Sequence, residues 1–199
     1  QRQMCIRDRT IRTASSFISP EQAAINFNRE VADADVQLIS GKAREQWNNY
    51  LGRVEAEGGT DEQFRTFYSC LYRTLLFPRE FYEFDSQGNP VYYSPYDGNV
   101  HDGYMYTDNG FWDTFRAVHP LFTLLYPEVS ERVTQSILNA YDESGFMPEW
   151  ASPGHRGCMI GNNSVSLLVD AWMKGIQTVD AEKACLLYTS PSPRDGATS

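Results

Sequence analysis

Helix-start signals recur along the chain. Each precedes apolar residues spaced three and four apart, a pattern that commits most of the molecule to α-helix. Ser19-Pro20-Glu21-Gln22 is the first signal. Ser19 is the N-cap, Pro20 suits the first helical position, and Gln22 completes a capping box, so a helix is predicted to about Val31. Between about Val36 and Glu55, one face gathers Val36, Ile39, Ala43, Trp47, Tyr50, Leu51 and Val54, before Gly58-Gly59 breaks the pattern. Thr60-Asp61-Glu62-Gln63 is a second capping box. It opens a helix with Phe64, Phe67, Tyr68, Leu71, Leu75 and Leu76 inward, stopped by Pro78. Cys70 lies on that apolar face and is expected to be a buried thiol. Helical spacing resumes at Phe111 and continues through Phe115, Val118, Phe122 and Leu125, with Pro120 expected to kink or divide the helix. Residues 128–144 form an amphipathic helix closed by Gly145, residues 165–176 form the next, and Asp180 begins another. Only residues 10–18 (TIRTASSFI) read as a strand, one whose sheet would lie upstream.

Two segments interrupt the helices. Residues 79–110 hold Asp85, Gly88, Pro90, Pro95, Gly98 and Gly103 among many tyrosines and phenylalanines, and residues 146–163 are rich in Gly and Pro. Long loops of this kind in a compact domain are usually functional. The chain is 14% aromatic, which suits either a helical core or a sugar-binding surface and does not choose between them. Its net charge of -9 argues against nucleic acid or an anionic membrane as partner. No apolar run is long enough to span a membrane.

The two ends lack any such periodicity. Residues 1–9 (QRQMCIRDR) and 185–199 (CLLYTSPSPRDGATS) match translated adapter DNA from transposase-based libraries, one strand at each end. They are expected to be artefacts, and residues 10–184 an internal piece of a longer protein. Cys5 and Cys185 then drop out. Cys70 and Cys158 alone make neither a zinc knuckle nor a disulfide framework.

Chemistry-bearing residues cluster at the loop–helix junctions. Trp112, Asp113 and Arg116 lie within about one turn, with Trp112 and Arg116 four apart on one face. Trp offers a flat apolar surface for the C–H face of a sugar. Asp accepts hydrogen bonds from vicinal hydroxyls, and Arg can orient that Asp, holding it ionised, or bind a ligand oxygen. The competing reading is a helix ion pair beside a core Trp. Glu149 and Trp150 form a second cluster, with His155 and Arg156 close behind; a lone loop carboxylate is usually solvated. Asn162, Asn163 and Ser164 read as ordinary helix caps. His119, in an apolar stretch, reads as a satisfied core histidine, and His101 carries no assignment. No HExxH, EF-hand, P-loop, GxSxG or GxGxxG motif occurs.

Five segments carry a resemblance: SFISPEQAAINF (16–27), FYSCLYRTLLFP (67–78), GFWDTFRAVHPLFTLLYPE (110–128), GFMPEW (145–150) and CMIGNNSVSLLVDAWMKGI (158–176). In this order they resemble glycoside hydrolase family 92, the calcium-dependent exo-α-mannosidases. The resemblance implies a mostly α fold, the first half of an (α/α)6 barrel preceded by the last strand of an N-terminal β-sandwich. Residues 10–18 would end that sandwich. Residues 19–184 would be the linker helix and the N-terminal part of the catalytic barrel. The implied activity is hydrolysis of terminal α-mannosides of N-glycans or mannans with inversion, in an exported bacterial parent whose signal peptide lies outside this piece. The implied partner is an α-mannoside glycan, and the implied cofactor is Ca2+. The family's general acid sits in a GNEP-type motif and its base in a GN-[DE]-D-type motif, both further along the barrel. Gly161-Asn162-Asn163-Ser164 is neither, so no catalytic residue is assigned here and no metal ligand is named. Trp112, Asp113, Arg116, Glu149 and Trp150 are the expected substrate-binding residues. Glu149-Trp150 departs from the family's commoner pattern of a basic residue before the Trp. The alternatives are another (α/α)6 carbohydrate-active enzyme or a non-catalytic glycan-binding relative.

Overall fold

A computed structural model describes residues 11–176. The two expected adapter segments and the helix expected from Asp180 lie outside the described residues. Helices dominate, as the sequence pattern requires. They are α1 (Pro20–Glu30), α2 (Val36–Leu51), α3 (Asp61–Thr74), α4 (Phe111–Thr114), α5 (Val118–Leu125), α6 (Pro127–Ser144) and α7 (Asn163–Met173).

Ser19 and Thr60 cap as their chemistry predicts, but the Gln22 side chain turns to Asn26 and the Phe84 carbonyl and does not complete the α1 capping box. The Ser19 side chain accepts from the Gln22 amide at 3.1 Å, and Pro20 opens α1. At α3 both arms of the capping box are made: the Thr60 hydroxyl takes the Gln63 amide at 3.3 Å, and the Gln63 side chain takes the Thr60 amide at 2.8 Å. Gly145, with φ of 78°, ends α6 in the left-handed region that a side chain disfavours. Pro120 neither kinks nor splits a helix. The break falls earlier, at residues 115–117, and Pro120 sits in the first turn of α5, where its missing N–H would have had no partner.

The expected strand at residues 10–18 is absent from the described residues, which begin at Ile11. Its polar groups are met by side chains instead of a strand edge. The Glu83 carboxylate receives the Ser16 hydroxyl (2.9 Å), the Phe17 amide (2.7 Å) and the Asn26 side chain (2.7 Å). That arrangement explains why α1 buries Gln22 and Asn26, two polar residues, against the chain.

The aromatic loop is more regular than its composition suggests. It folds into short antiparallel pairs: β1 (Arg79–Glu80) with β5 (Tyr106–Thr107), and β2 (Glu83–Phe84), β3 (Pro90–Tyr93) and β4 (Val100–Asp102) as a three-stranded meander. Finally, β6 (Asn109–Gly110) pairs with β7 (Trp150–Ala151), Asn109 opposite Ala151 and Gly110 opposite Trp150.

The core lies around α6. Val133, Ile137 and Leu138 of α6 pack with Phe111, Met147, and Val165, Leu167, Leu168 and Ala171 of α7. Small buried residues, Ser130, Thr134, Ser136 and Ala140, cover the rest of α6, so this helix is enclosed on more than its apolar stripe. The expected inner face of α2 is not enclosed. None of its residues is fully buried, and Val36 is 67% exposed. On α3 only Leu71 is fully buried, and Cys70 is exposed, against expectation. Periodicity picks out a face but does not say what lies against it.

Candidate carbohydrate-binding site

The site is built at the junction of β6 and α4. The Asn109–Gly110 pair leads straight into the helical turn that carries Trp112 and Asp113. Asn109 is buried. Its side-chain oxygen accepts from the Thr114 hydroxyl at 2.9 Å, and its amide nitrogen lies 3.1 Å from Nε2 of His119. The Thr114 hydroxyl also lies 3.1 Å from the Gly110 carbonyl oxygen. One asparagine therefore ties the C-terminal end of the turn that presents Asp113 to α5.

His119 is enclosed, as expected, with Phe122 edge-on at 5.7 Å. Burial pushes its pKa down to about 3, so the imidazole is neutral at physiological pH. It is not fully satisfied, however: Nδ1 has no hydrogen-bond partner among the described residues.

Trp112 is 38% exposed and Asp113 is exposed. Arg116 does not pair with Asp113. Its Nε donates to the Trp112 carbonyl at 3.1 Å, and its guanidinium stands 5.3 Å from the Trp112 ring and 5.0 Å from the Phe115 ring. Four-residue spacing does bring Trp112 and Arg116 together, but as a cation–π contact that supports the indole. The Asp113 carboxylate makes no ion pair among the described residues, and its Oδ2 leans toward Gly110. An exposed carboxylate beside an exposed indole can accept hydrogen bonds from hydroxyls while the ring covers a C–H face.

Glu149 and Trp150 arrive on the second Gly/Pro-rich loop. The ladder between Gly110 and Trp150 joins this loop to the first cluster. Trp150 is half-buried. Glu149 is only 4% exposed, contrary to the solvated carboxylate the loop context predicts. His155 lies nearby. Burial lowers its pKa while the charge of Glu149 pulls it the other way, and its Nε2 lies 2.8 Å from the Ser144 hydroxyl. Arg156 closes the loop on itself, donating Nε to the Ser152 carbonyl at 2.7 Å. The expected cap at Asn162 is not made. Its side-chain oxygen instead accepts from the Ser164 hydroxyl at 2.6 Å.

Sequence reasoning missed the bracing around this site. Asp108, with φ of 57°, pairs with Arg79 and accepts from the Ser152 hydroxyl at 2.7 Å, linking β1 to the second loop. An Asp just before a turn is a weak signal for such a role. A cavity of about 400 Å³ opens elsewhere, between α2, the end of α3 and α5, lined by Trp47, Tyr50, Phe77 and Phe122 among others. None of the five candidate residues lines it.

Among the described residues, one side-chain group gathers potential metal ligands: Asp97, His101 and Glu143, with ligand atoms within 4.8 Å of one another. It does not suit calcium, which takes six to eight oxygens. One donor is an imidazole nitrogen, 2.8 Å from Oδ2 of Asp97, and the other Asp97 oxygen accepts from the Asn99 amide. The Glu143 oxygens already accept from the hydroxyls of Tyr92 and Ser94.

With this geometry in hand, comparison with known proteins decides the family. The model of the glycosyl hydrolase family 92 catalytic domain matches residues 22–191. The chain belongs to glycoside hydrolase family 92. A solved family 92 inverting mannosidase from Bacteroides thetaiotaomicron is 96% identical, with a TM-score of 0.85, over 86% of this chain and 23% of its own. A family 92 α-mannosidase from the same organism, solved in complex with mannoimidazole, is 30% identical, with a TM-score of 0.77, over 88% of this chain and 23% of its own. An uncharacterized secreted glycosidase of Arthroderma benhamiae is 24% identical over 170 residues, 83% of this chain and 17% of that protein. The chain thus spans about a quarter of the length of the family 92 structures it matches. Its helical architecture is that of part of the family's helical domain. Among the described residues no helix is long and apolar enough to cross a membrane.

Proposed function

We propose that this chain is a segment of an inverting exo-α-mannosidase, and that it contributes sugar-contacting residues rather than the proton-transfer groups. The observation that carries the reading is the 96% identity to an inverting mannosidase across most of the chain. Asp113 would accept hydrogen bonds from adjacent mannose hydroxyls, with Trp112 covering an apolar face of the ring. Arg116 would hold the Trp112 indole in place, and Glu149 and Trp150 would border the same sugar from the second loop. Inversion needs a protonated carboxylic acid at the leaving oxygen and a carboxylate base on water, about 6.5–9.5 Å apart. In this reading both come from the later GNEP-type and GN-[DE]-D-type motifs.

Residues 1–9 and 185–199 are read as adapter translation, and residues 10–18 as the end of a β-sandwich that precedes an (α/α)6 barrel. The substrate class is an α-mannoside of N-glycans or mannans, and the parent is exported from a bacterium. Calcium belongs to the family reading. The Asp97, His101 and Glu143 group does not fit it, so no step here is routed through a metal.

The test uses the full-length Bacteroides mannosidase with its matching segment replaced by residues 11–176 of this chain. Charge-assisted hydrogen bonds contribute about 1.5–3 kcal/mol. Asp113→Asn should therefore lower kcat/KM on an aryl α-mannoside by about ten- to a few-hundredfold with little change in Tm. The 199-residue chain alone should release no mannose. Wild-type kcat/KM in the variant, or mannose release by the chain alone, would overturn the assignment.

A further inference from the structure

The segment just before Asp113 is built with unusual economy of space. An ideal Cβ added to Gly110 would stand 3.2 Å from Oδ2 of Asp113 and 3.1 Å from Cε of Met159. Both distances are tighter than ordinary carbon contacts, so either neighbour would have to move by a few tenths of an ångström. Yet the Gly110 backbone, with φ of -92° and ψ of 98°, is a conformation that any residue adopts. The glycine is thus not required by the chain's path. What it provides is room for the Asp113 carboxylate and, on the other side, the Met159 methyl. Meanwhile Asn109 fixes the other coordinate. Its amide bridges the Thr114 hydroxyl, in a part-buried hydrogen bond, and the His119 ring, in a buried one, so the turn bearing Asp113 cannot rotate without breaking one of the two.

We propose that Asn109, Gly110 and Thr114 are positioning residues that set the placement of the Asp113 carboxylate for the sugar. The proposal rests on the reading of Asp113 as a mannose contact. It adds that the space over Gly110 and the Asn109–Thr114 hydrogen bond determine how well that contact is made. Both features act through Asp113 and touch no substrate themselves.

The experiment is a double-mutant cycle in the full-length mannosidase carrying residues 11–176. It is read by kcat/KM on an aryl α-mannoside and by mannoimidazole affinity. Gly110→Ala strains no backbone and displaces a carboxylate by a few tenths of an ångström, so it should cost about three- to tenfold in both readouts with Tm nearly unchanged. In the Asp113→Asn background the same change should cost almost nothing, because the group it displaces has already lost its function. Thr114→Val should lower both readouts about tenfold, and Thr114→Ser, which keeps the hydroxyl, should restore most of the loss. The inference is overturned if Gly110→Ala costs as much in the Asp113→Asn background as alone. It is equally overturned if Asp113→Asn is damaging while Gly110→Ala leaves both readouts at wild type. A silent Asp113→Asn would instead sink the underlying sugar-contact reading, and this inference with it.

Discussion

Acidification should destabilise the folded chain through His119. The residue is 3% exposed, its Nδ1 lacks a partner among the described residues, and burial holds its pKa at about 3 against an ordinary 6.5. The native state therefore stays unprotonated there through a range in which the unfolded chain takes up a proton. Because the folded pKa is depressed, this contribution is fully present above about pH 6.5 and is lost as pH falls towards about 3. Between about pH 7.5 and about pH 5 the integrated loss is about 2 kcal/mol. That figure depends little on how far below about 4 the native pKa lies, since nearly all of it comes from protonation of the unfolded chain. Urea unfolding followed by tryptophan fluorescence should show it, with wild type and His119→Gln compared at the two pH values. Wild type should lose about 2 kcal/mol more than the variant on acidification. Parallel losses in the two proteins would refute the argument and mean that His119 titrates normally in the fold.

Leu168 is fully enclosed at the α6–α7 contact, so Leu168→Ala should destabilise by about 2–5 kcal/mol in the same urea assay. A change under about 1 kcal/mol would show that the contact is not tightly packed. Thr60→Ala removes one arm of the α3 capping box and should cost about 1 kcal/mol. Thr60→Ser should recover most of that loss, and failure to do so would point away from the hydroxyl.

Local chemistry made the helices readable, because a cap is decided by residues three apart. Ser19 with Pro20, Thr60 with Gln63, and Gly145 each formed the expected end. What depended on distant parts of the chain was not readable. Residues 10–18 have strand composition, but Ser16 and Phe17 bond to a glutamate 67 and 66 positions away, and no local rule contains that partner. Cys70 and Val36 lie on apolar stripes that the described residues leave open. Trp112, Asp113 and Trp150 stood out by residue type and junction context, and the structure leaves Trp112 and Asp113 exposed and Trp150 half-buried. Arg116 was correctly placed beside Trp112 but given the wrong partner, since spacing fixes the helix face and not which neighbour wins the guanidinium. Asn109 was overlooked because its partners lie five and ten residues on, past the break between α4 and α5.

The pairing of Asn109–Gly110 with Trp150–Ala151 is only two residues long, and its brevity gives it an all-or-none character. Side chains alternate across a strand, so a slip of one position would not nudge Trp150 along the face it now occupies. It would send the indole to the opposite face and bring Ala151 opposite Gly110 in its place. Errors of assembly at this joint are therefore inversions rather than drifts. Trp150 is either on its present face of the pair or on the opposite one, with no intermediate placement.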